Sequence, residues 1–271
     1  MVSGVPPLRA RSVLLEGRGA RFADVRWVAS TGSTNADAMD LARAGEAEGV
    51  VVVADHQTAG RGRAGRTWEA PPGASLLMSV LLRPPASVMD LCTAAVGVAA
   101  AEAVEALGGF APRLKWPNDL VWPGDGSADD RKLGGILAEA DWHADDERVA
   151  VVVGLGLNVR WPEDPPPELV GIAVACNHIS EVPIDREDLL VAVLQHLDDH
   201  YSRLVEGERA ALLAAWSERS ATLGRRVRVD LGRELVEGVA VDVTAEGHLV
   251  VETSSERRAI AVGDVVHLRE A

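Results

Sequence analysis

Lysine is nearly missing from this chain. Of 27 lysines and arginines, only Lys115 and Lys132 are lysines. Cysteine is as scarce, with Cys92 and Cys176 alone, which excludes a disulfide framework and a thiolate zinc site. Positive charge is outweighed overall: the formal net charge is -14 and the pI about 4.9. That balance argues against broad nucleic-acid binding, which normally shows a basic footprint, although a local basic patch could still act. Met1 to Arg11 holds no apolar stretch of signal-peptide length. The longest small-apolar run, Ala94 to Ala101, stops at Glu102, far short of a membrane span. A cytoplasmic protein without a membrane partner is the expectation. Internal repeats, low-complexity blocks and the H-E-x-x-H and G-x-S-x-G patterns are missing too, and Cys92 has no histidine nearby in sequence. Covalent catalysis by a protein nucleophile is therefore not expected.

The composition that remains is that of an ordered globular protein. At 271 residues, with 47% hydrophobic and 25% charged residues, the chain can bury a sizeable core in one or two domains. A tail with a short helix near Ser12–Gly17 leads to a strand near Val25–Ala29. TGSTNADAMDLARAG predicts a loop and a helix capped by Thr34 or Asn35 and stopped by Gly45. Gly49–Ala54 and Ser75–Leu82 read as buried strands. Met89–Leu107, alanine-rich and without proline, predicts a buried helix. Arg113–Trp122 and Lys132–Asp141 predict two strands around a hairpin tip, WPGDGSADD, and Val149–Leu157 a further strand. Asp185–Ser220 predicts one or two helices, and the short alternating strands from Leu223 onward a small SH3-like β-barrel.

Four polar stretches interrupt this pattern. The first, GRGRAGRTWEA from Gly60 to Ala70, sets three arginines among three glycines beside Trp68. It matches G-x-G-x-x-G, yet prolines and another strand follow it where a dinucleotide fold needs a helix and a later acid. The dinucleotide reading is rejected. A phosphate-cradling loop, a basic arm or a solvated loop remain. Glycines let amides approach an anion, and arginines clamp phosphate or carboxylate oxygens. The second stretch joins KWPNDL (Lys115–Leu120) to RKLGGILAE (Arg131–Glu139), so both lysines fall there. Asn118–Asp119 could be a turn, and Lys132 a strand-edge charge. The third, GSTN (Gly32–Asn35), could be only a helix cap. The fourth, GLGLN (Gly154–Asn158), could be only a strand end with turn glycines.

Taken in order, GSTN, HQTAGRGRAGRTW, KWPNDL, RKLGGILAE and GLGLNV resemble the biotin protein ligases, from about residue 25 to the end. The resemblance implies an α+β fold: a central mixed β-sheet catalytic domain with packed helices on one side (class II synthetase-like), over residues 25–221, after a tail over 1–24. A small SH3-like β-barrel over 222–271 follows. It implies that biotin is activated with ATP as biotinoyl-5′-AMP, releasing pyrophosphate, and passed to a specific lysine of a biotin carboxyl carrier domain of acyl-CoA carboxylases. Mg²⁺ would accompany ATP. By position, Ser33, Thr34, Asn35, Gln57, Gly60 and Gly135 would line the biotin pocket, with Arg61, Gly62 and Arg63 folding over it. Arg63, Arg66, Trp68, Asn118 and Asn158 would serve ATP and the adenylate, and Lys132 would stand between the biotin carboxylate and the α-phosphate. Lys132, Arg63 and Asp119 are the catalytic candidates, and Asp119 is also the candidate metal ligand. On an acidic protein the arginine loop would form a positive island where an anion settles. DNA-binding members carry an extra N-terminal winged helix-turn-helix; GSTN begins at Gly32, so a ligase without repressor function is expected. A lipoate–protein ligase and a non-enzymatic nucleic-acid binder are the alternatives. Monomer and homodimer stay equally open.

Overall fold

The computed structural model describes residues 21–123, 130–141, 148–163, 165 and 167–268. The expected Ser12–Gly17 segment and most of the WPGDGSADD tip lie outside the described residues.

The first sheet has seven strands: β1 (Val25–Val28), β2 (Val51–Ala54), β3 (Ser75–Leu82), β4 (Arg113–Lys115), β5 (Asp119–Trp122), β6 (Arg131–Asp141) and β7 (Ala150–Asn158), in the order β1-β2-β3-β7-β6-β5-β4. Only β1 and β2 run parallel; the other pairs are antiparallel. The sheet is therefore mixed. SLLMSVLL occupies β3 with all of its residues buried, as expected of a run that is apolar on both faces. Each fully buried aliphatic side chain contributes roughly 1.5–3 kcal/mol relative to exposure, so β3 anchors the sheet.

Period-two alternation separates the faces. Leu76, Met78, Val80 and Leu82 of β3 join Val151, Val153, Leu155 and Leu157 of β7 in the main core. Helix α2 (Cys92–Gly108) covers that core, with α3 (Arg186–Val205) and α4 (Arg209–Glu218) beside it. Asp185 caps α3, its carboxylate accepting from the Glu187 and Asp188 amides. On the other face, Leu81, Val52 and Val152 pack against Ala38, Met39 and Ala42 of α1 (Thr34–Arg43). Helices thus lie on both faces of the sheet and not on one side only. The segment Ala86–Gly108 is long and apolar enough to cross a membrane, but its apolar side chains are consumed by the core, so here it is a core helix.

The second sheet, β8 (Arg226–Asp230), β9 (Leu235–Val243), β10 (Leu249–Glu252), β11 (Arg257–Ile260) and β12 (Asp264–His267), is antiparallel in the order β11-β10-β9-β8-β12. It forms the SH3-like unit. Trp116 fastens the two sheets: its backbone amide donates to Thr222 Oγ1 at 3.0 Å and its indole N–H to Gly247 O at 3.1 Å.

Two expectations are corrected. Arg113–Trp122 is not one strand but a tight hairpin, β4–β5, with Lys115 opposite Asp119 and a cis Trp116–Pro117 peptide at its tip. Proline cannot donate a ladder hydrogen bond, and KWPND is the turn. The cap of α1 is Ser33, one residue earlier than expected.

Candidate active site

The face of the sheet that carries α1 also carries a cleft of about 380 Å³, a size suited to a small organic ligand. Its floor follows from the alternation along β6 and β7. Leu155 and Leu157 turn into the core while Gly154 and Gly156 face the cleft, opposite Leu137 and Gly135. The GLGLN glycines are strand residues, not turn residues. A Cβ on Gly156 would stand 2.6 Å from Trp68 Cε2, and one on Gly135 would stand 3.1 Å from Trp68 Cζ3. The indole therefore lies on this glycine floor. Its buried N–H has no hydrogen-bond partner among the described residues.

GSTN supplies one wall. Ser33 sits at the helix cap, but its hydroxyl makes no capping bond and faces the cleft. A plain cap does not explain the motif. Thr34 donates its backbone N–H to Gln57 Oε1 at 2.8 Å, and its hydroxyl lies 3.0 Å from Gln57 Oε1 and 2.7 Å from Ser79 Oγ. Gln57 keeps its amide NH₂ as a remaining donor. Asn35 donates to Leu137 O at 3.0 Å and to Glu139 Oε2 at 2.9 Å, and accepts from Ser79 Oγ at 2.6 Å. Its amide hydrogens are spent inside the protein.

The glycine–arginine loop supplies the opposite wall. Trp68 N–H bonds Gly60 O at 3.0 Å and Gly62 N–H bonds Arg66 O at 2.6 Å, closing a short reverse turn. Ala64 takes a left-handed φ of 53° within it. Each arginine has a carboxylate: Arg61 pairs with Glu139 at 2.9 Å, while Arg63 and Arg66 both reach Asp264 of β12. Lys132 Nζ lies 2.7 Å from Asp119 Oδ1 and 5.5 Å from the Trp68 ring centroid. The expected positive island is thus reduced but not cancelled: Glu139 and Asp264 face three arginines, and Asp119 faces Lys132. Lys115, also in the cleft, has no ion pair among the described residues.

Asn118 is more than a turn residue. It donates to Ile136 O at 2.6 Å and accepts from Arg63 Nη1 at 3.3 Å, tying hairpin, β6 and loop together. Backbone bonds then fix Lys132: its N–H reaches Ile172 O at 2.8 Å and its carbonyl accepts from Val174 N–H at 2.9 Å.

Of the expected site residues, Ser33, Thr34, Asn35, Gln57, Arg61, Gly62, Arg63, Arg66, Trp68, Asn118, Asp119, Lys132 and Gly135 all border this cleft. Two do not. Gly60 is buried at the base of the loop, where a Cβ would stand 2.3 Å from Trp68 O. Asn158 is buried and donates to Val174 O at 3.1 Å, so it steadies the segment that holds Lys132 and does not face the cleft. Sequence reasoning missed Ser79, Glu139, Asp264 and the anchoring role of Trp116. Ser79 had a signal, a hydroxyl in the middle of SLLMSVLL; Asp264 comes from the other sheet, far along the chain.

Burial pushes the Cys176 thiol up to about 12 and the Cys92 thiol higher still. Neither is a nucleophile at neutral pH. At the rim, burial and the charges of Lys115 and Arg225 push His267 down to about 4, against the pull of Asp130, 3.1 Å away.

The architecture and the cleft define an acid-activating ligase of the kind that joins a small carboxylic acid to a protein. The Biotin/lipoate A/B protein ligase family model matches residues 27–158, and the Biotin protein ligase C terminal domain model matches residues 222–268. The Mycobacterium tuberculosis biotin–[acetyl-CoA-carboxylase] ligase is 37% identical over 97% of both chains. Its Paracoccus denitrificans counterpart is 30% identical over 88% of this chain and 98% of its own. The structure of the Aquifex aeolicus biotin protein ligase in complex with biotin and ATP superposes with a TM-score of 0.75 at 25% identity, covering 91% of this chain and 99% of that one. The chain belongs to the biotin protein ligases.

Proposed function

We propose that this cleft condenses biotin with ATP to biotinoyl-5′-AMP and pyrophosphate, and then passes the biotinyl group to a lysine of a biotin carboxyl carrier domain. The observation that carries the reading is the Lys132–Asp119 pair, 2.7 Å apart, in one cleft with the arginine loop and above a glycine floor. A carboxylate attacking a phosphate brings two anions together, so fixed cations at the point of charge build-up lower the barrier. Lys132 supplies a compact charge there, and the Asp119 contact holds it in place. Arg61, Gly62 and Arg63 close over the acid, and the loop excludes water from an intermediate prone to hydrolysis. Arg66, Trp68 and Asn118 serve the nucleotide, with the Trp68 ring laid on the glycine floor of the cleft. Ser33 and the Gln57 amide are the free polar groups for the acid's ring end, with Thr34, Asn35 and Ser79 bracing them.

Among the described residues no three His, Cys, Asp or Glu side chains are grouped to hold a metal by themselves. That fits Mg²⁺, which is usually held by one or two carboxylates together with substrate phosphates; Asp119 is the carboxylate that would hold it, and it would neutralise phosphate charge.

Transfer needs a neutral amine. A carrier lysine with a reference pKa near 10.4 is neutral in roughly one molecule in a few thousand at pH 7. Asp119 is the carboxylate in place to receive that proton or to hold the amine.

Incubation with ATP and either biotin or lipoate, followed by mass detection of the acyl-adenylate, tests the assignment. Biotinoyl-adenylate alone is the expected product. An adenylate formed only from lipoate would transfer the assignment to the lipoate ligases. ATP-independent, salt-sensitive nucleic-acid binding lost on substitution of Arg61, Arg63 and Arg66 would replace it altogether.

A further inference from the structure

Glu139 lies outside the residues given a role in biotin or ATP binding, yet it joins two of the motifs. It stands on β6, two residues beyond Leu137 and so on the cleft face of the sheet. A single oxygen, Oε2, accepts from Asn35 Nδ2 at 2.9 Å and from Arg61 Nη2 at 2.9 Å. Asn35 cannot turn away to compensate, because its other contacts run to Leu137 O and to Ser79 Oγ. Arg61 is bridged to Thr67 across the base of the loop. The loop is therefore strung between two acids, Glu139 on the first sheet and Asp264 on the second.

An ion pair as exposed as Arg61–Glu139, at 44% and 32%, adds little to global stability. Its value lies in where it puts the partners. We infer that Glu139 is a positioning residue for biotin capture, registering the glycine–arginine loop against the N-terminus of α1. The inference rests on the biotin-ligase reading. Glu139 acts through Asn35 and Arg61 and does not touch the substrate. Without it the loop must be ordered at the moment of binding, which weakens affinity and speeds release. The step at phosphorus depends on Lys132 and is largely spared.

The test uses the full chain and three changes: Glu139→Leu, which removes the acceptor; Glu139→Gln, which keeps an oxygen but drops the charge; and Arg61→Met. Biotin affinity is measured by calorimetric titration, and adenylation is resolved into kcat and KM, beside thermal melting. Glu139→Leu should raise both the Kd and the KM for biotin about tenfold, with kcat held within about twofold and melting unchanged. Glu139→Gln should raise them about threefold, a partial rescue. Combining Glu139→Leu with Arg61→Met should cost clearly less than the product of the two single effects, because the two share one interaction. Wild-type biotin affinity in Glu139→Leu, or additive effects, would overturn the inference. So would a fall in kcat that tracks a fall in melting temperature. Should Glu139→Leu fail to fold, Glu139→Gln decides: affinity equal to wild type overturns the inference, and the threefold loss supports it. A wild-type protein that makes no adenylate would instead defeat the ligase reading itself.

Discussion

Gly154 and Lys132 show how single residues constrain this cleft. A Cβ on Gly154 would lie 2.0 Å from Asn35 Oδ1, so Gly154→Ala must displace the amide that links α1 to Ser79, Leu137 and Glu139. A loss of about 1–3 kcal/mol in stability is expected, from buried hydrogen bonds left unmade, together with a clear loss of biotin affinity. Urea unfolding and biotin titration check both. Lys132→Arg keeps the charge but replaces a point ammonium with a bulkier planar fork. In a space already shared with Asp119 and the Trp68 ring, adenylation should fall about a hundredfold while melting hardly moves. Pyrophosphate release measures it, and near-normal release would remove Lys132 from its proposed place. Both residues stood out in the sequence, Lys132 because lysine is so rare. Which residues meet was not legible, since contacts such as Asn35 to Glu139 join positions 104 apart along the chain.

At the scale of elements, the loop from Gly60 to Trp68 is the part of the proposal most exposed to test. Arg63 reaches Asn118 and the Gly263 carbonyl of the second sheet. Arg63→Gly should cut those ties, let biotinoyl-adenylate escape, and label stray lysines on bystander proteins; a streptavidin blot reads this out. Retention of the intermediate as in wild type would contradict the water-excluding lid. The strands and helices beneath the loop were largely legible, because continuous apolar runs such as SLLMSVLL and the proline-free alanine helix leave few alternatives. The KWPND hairpin was not, because a turn of three residues between short strands leaves no periodic trace longer than the strands themselves. The strand over GLGLN was legible, but the purpose of its glycines was hidden for a related reason. Glycine marks turns by default, and only the register against β6 reveals that Gly154 and Gly156 make room for other side chains.

For the whole molecule, the cleft belongs to both sheets. Asp264 of β12 holds two loop arginines, and Trp116 and His267 close the seam between the units. His267 is 12% exposed, and its pKa is pushed from 6.5 to about 4 by burial and by Lys115 and Arg225. The imidazole is therefore neutral in the folded protein at neutral pH. The unfolded chain binds its proton first as pH falls, so stability should decline from about pH 6.5 toward pH 4, by a few kcal/mol at most. His267→Gln should flatten the difference in urea midpoint between pH 7 and pH 5; an unchanged difference would mean that folding does not shift the His267 pKa. Pairing every loop arginine with an acid also answers how an acidic protein keeps a basic loop: the cations are stored against Glu139 and Asp264 rather than left as an open patch. The most direct measurement of the central claim is the intact mass of a purified biotin carboxyl carrier domain after incubation with the protein, biotin, ATP and Mg²⁺. The account predicts the addition of one biotinyl group, dependent on ATP and lost with Lys132→Arg. A carrier whose mass does not change, under conditions where the protein is folded and binds biotin, would contradict it.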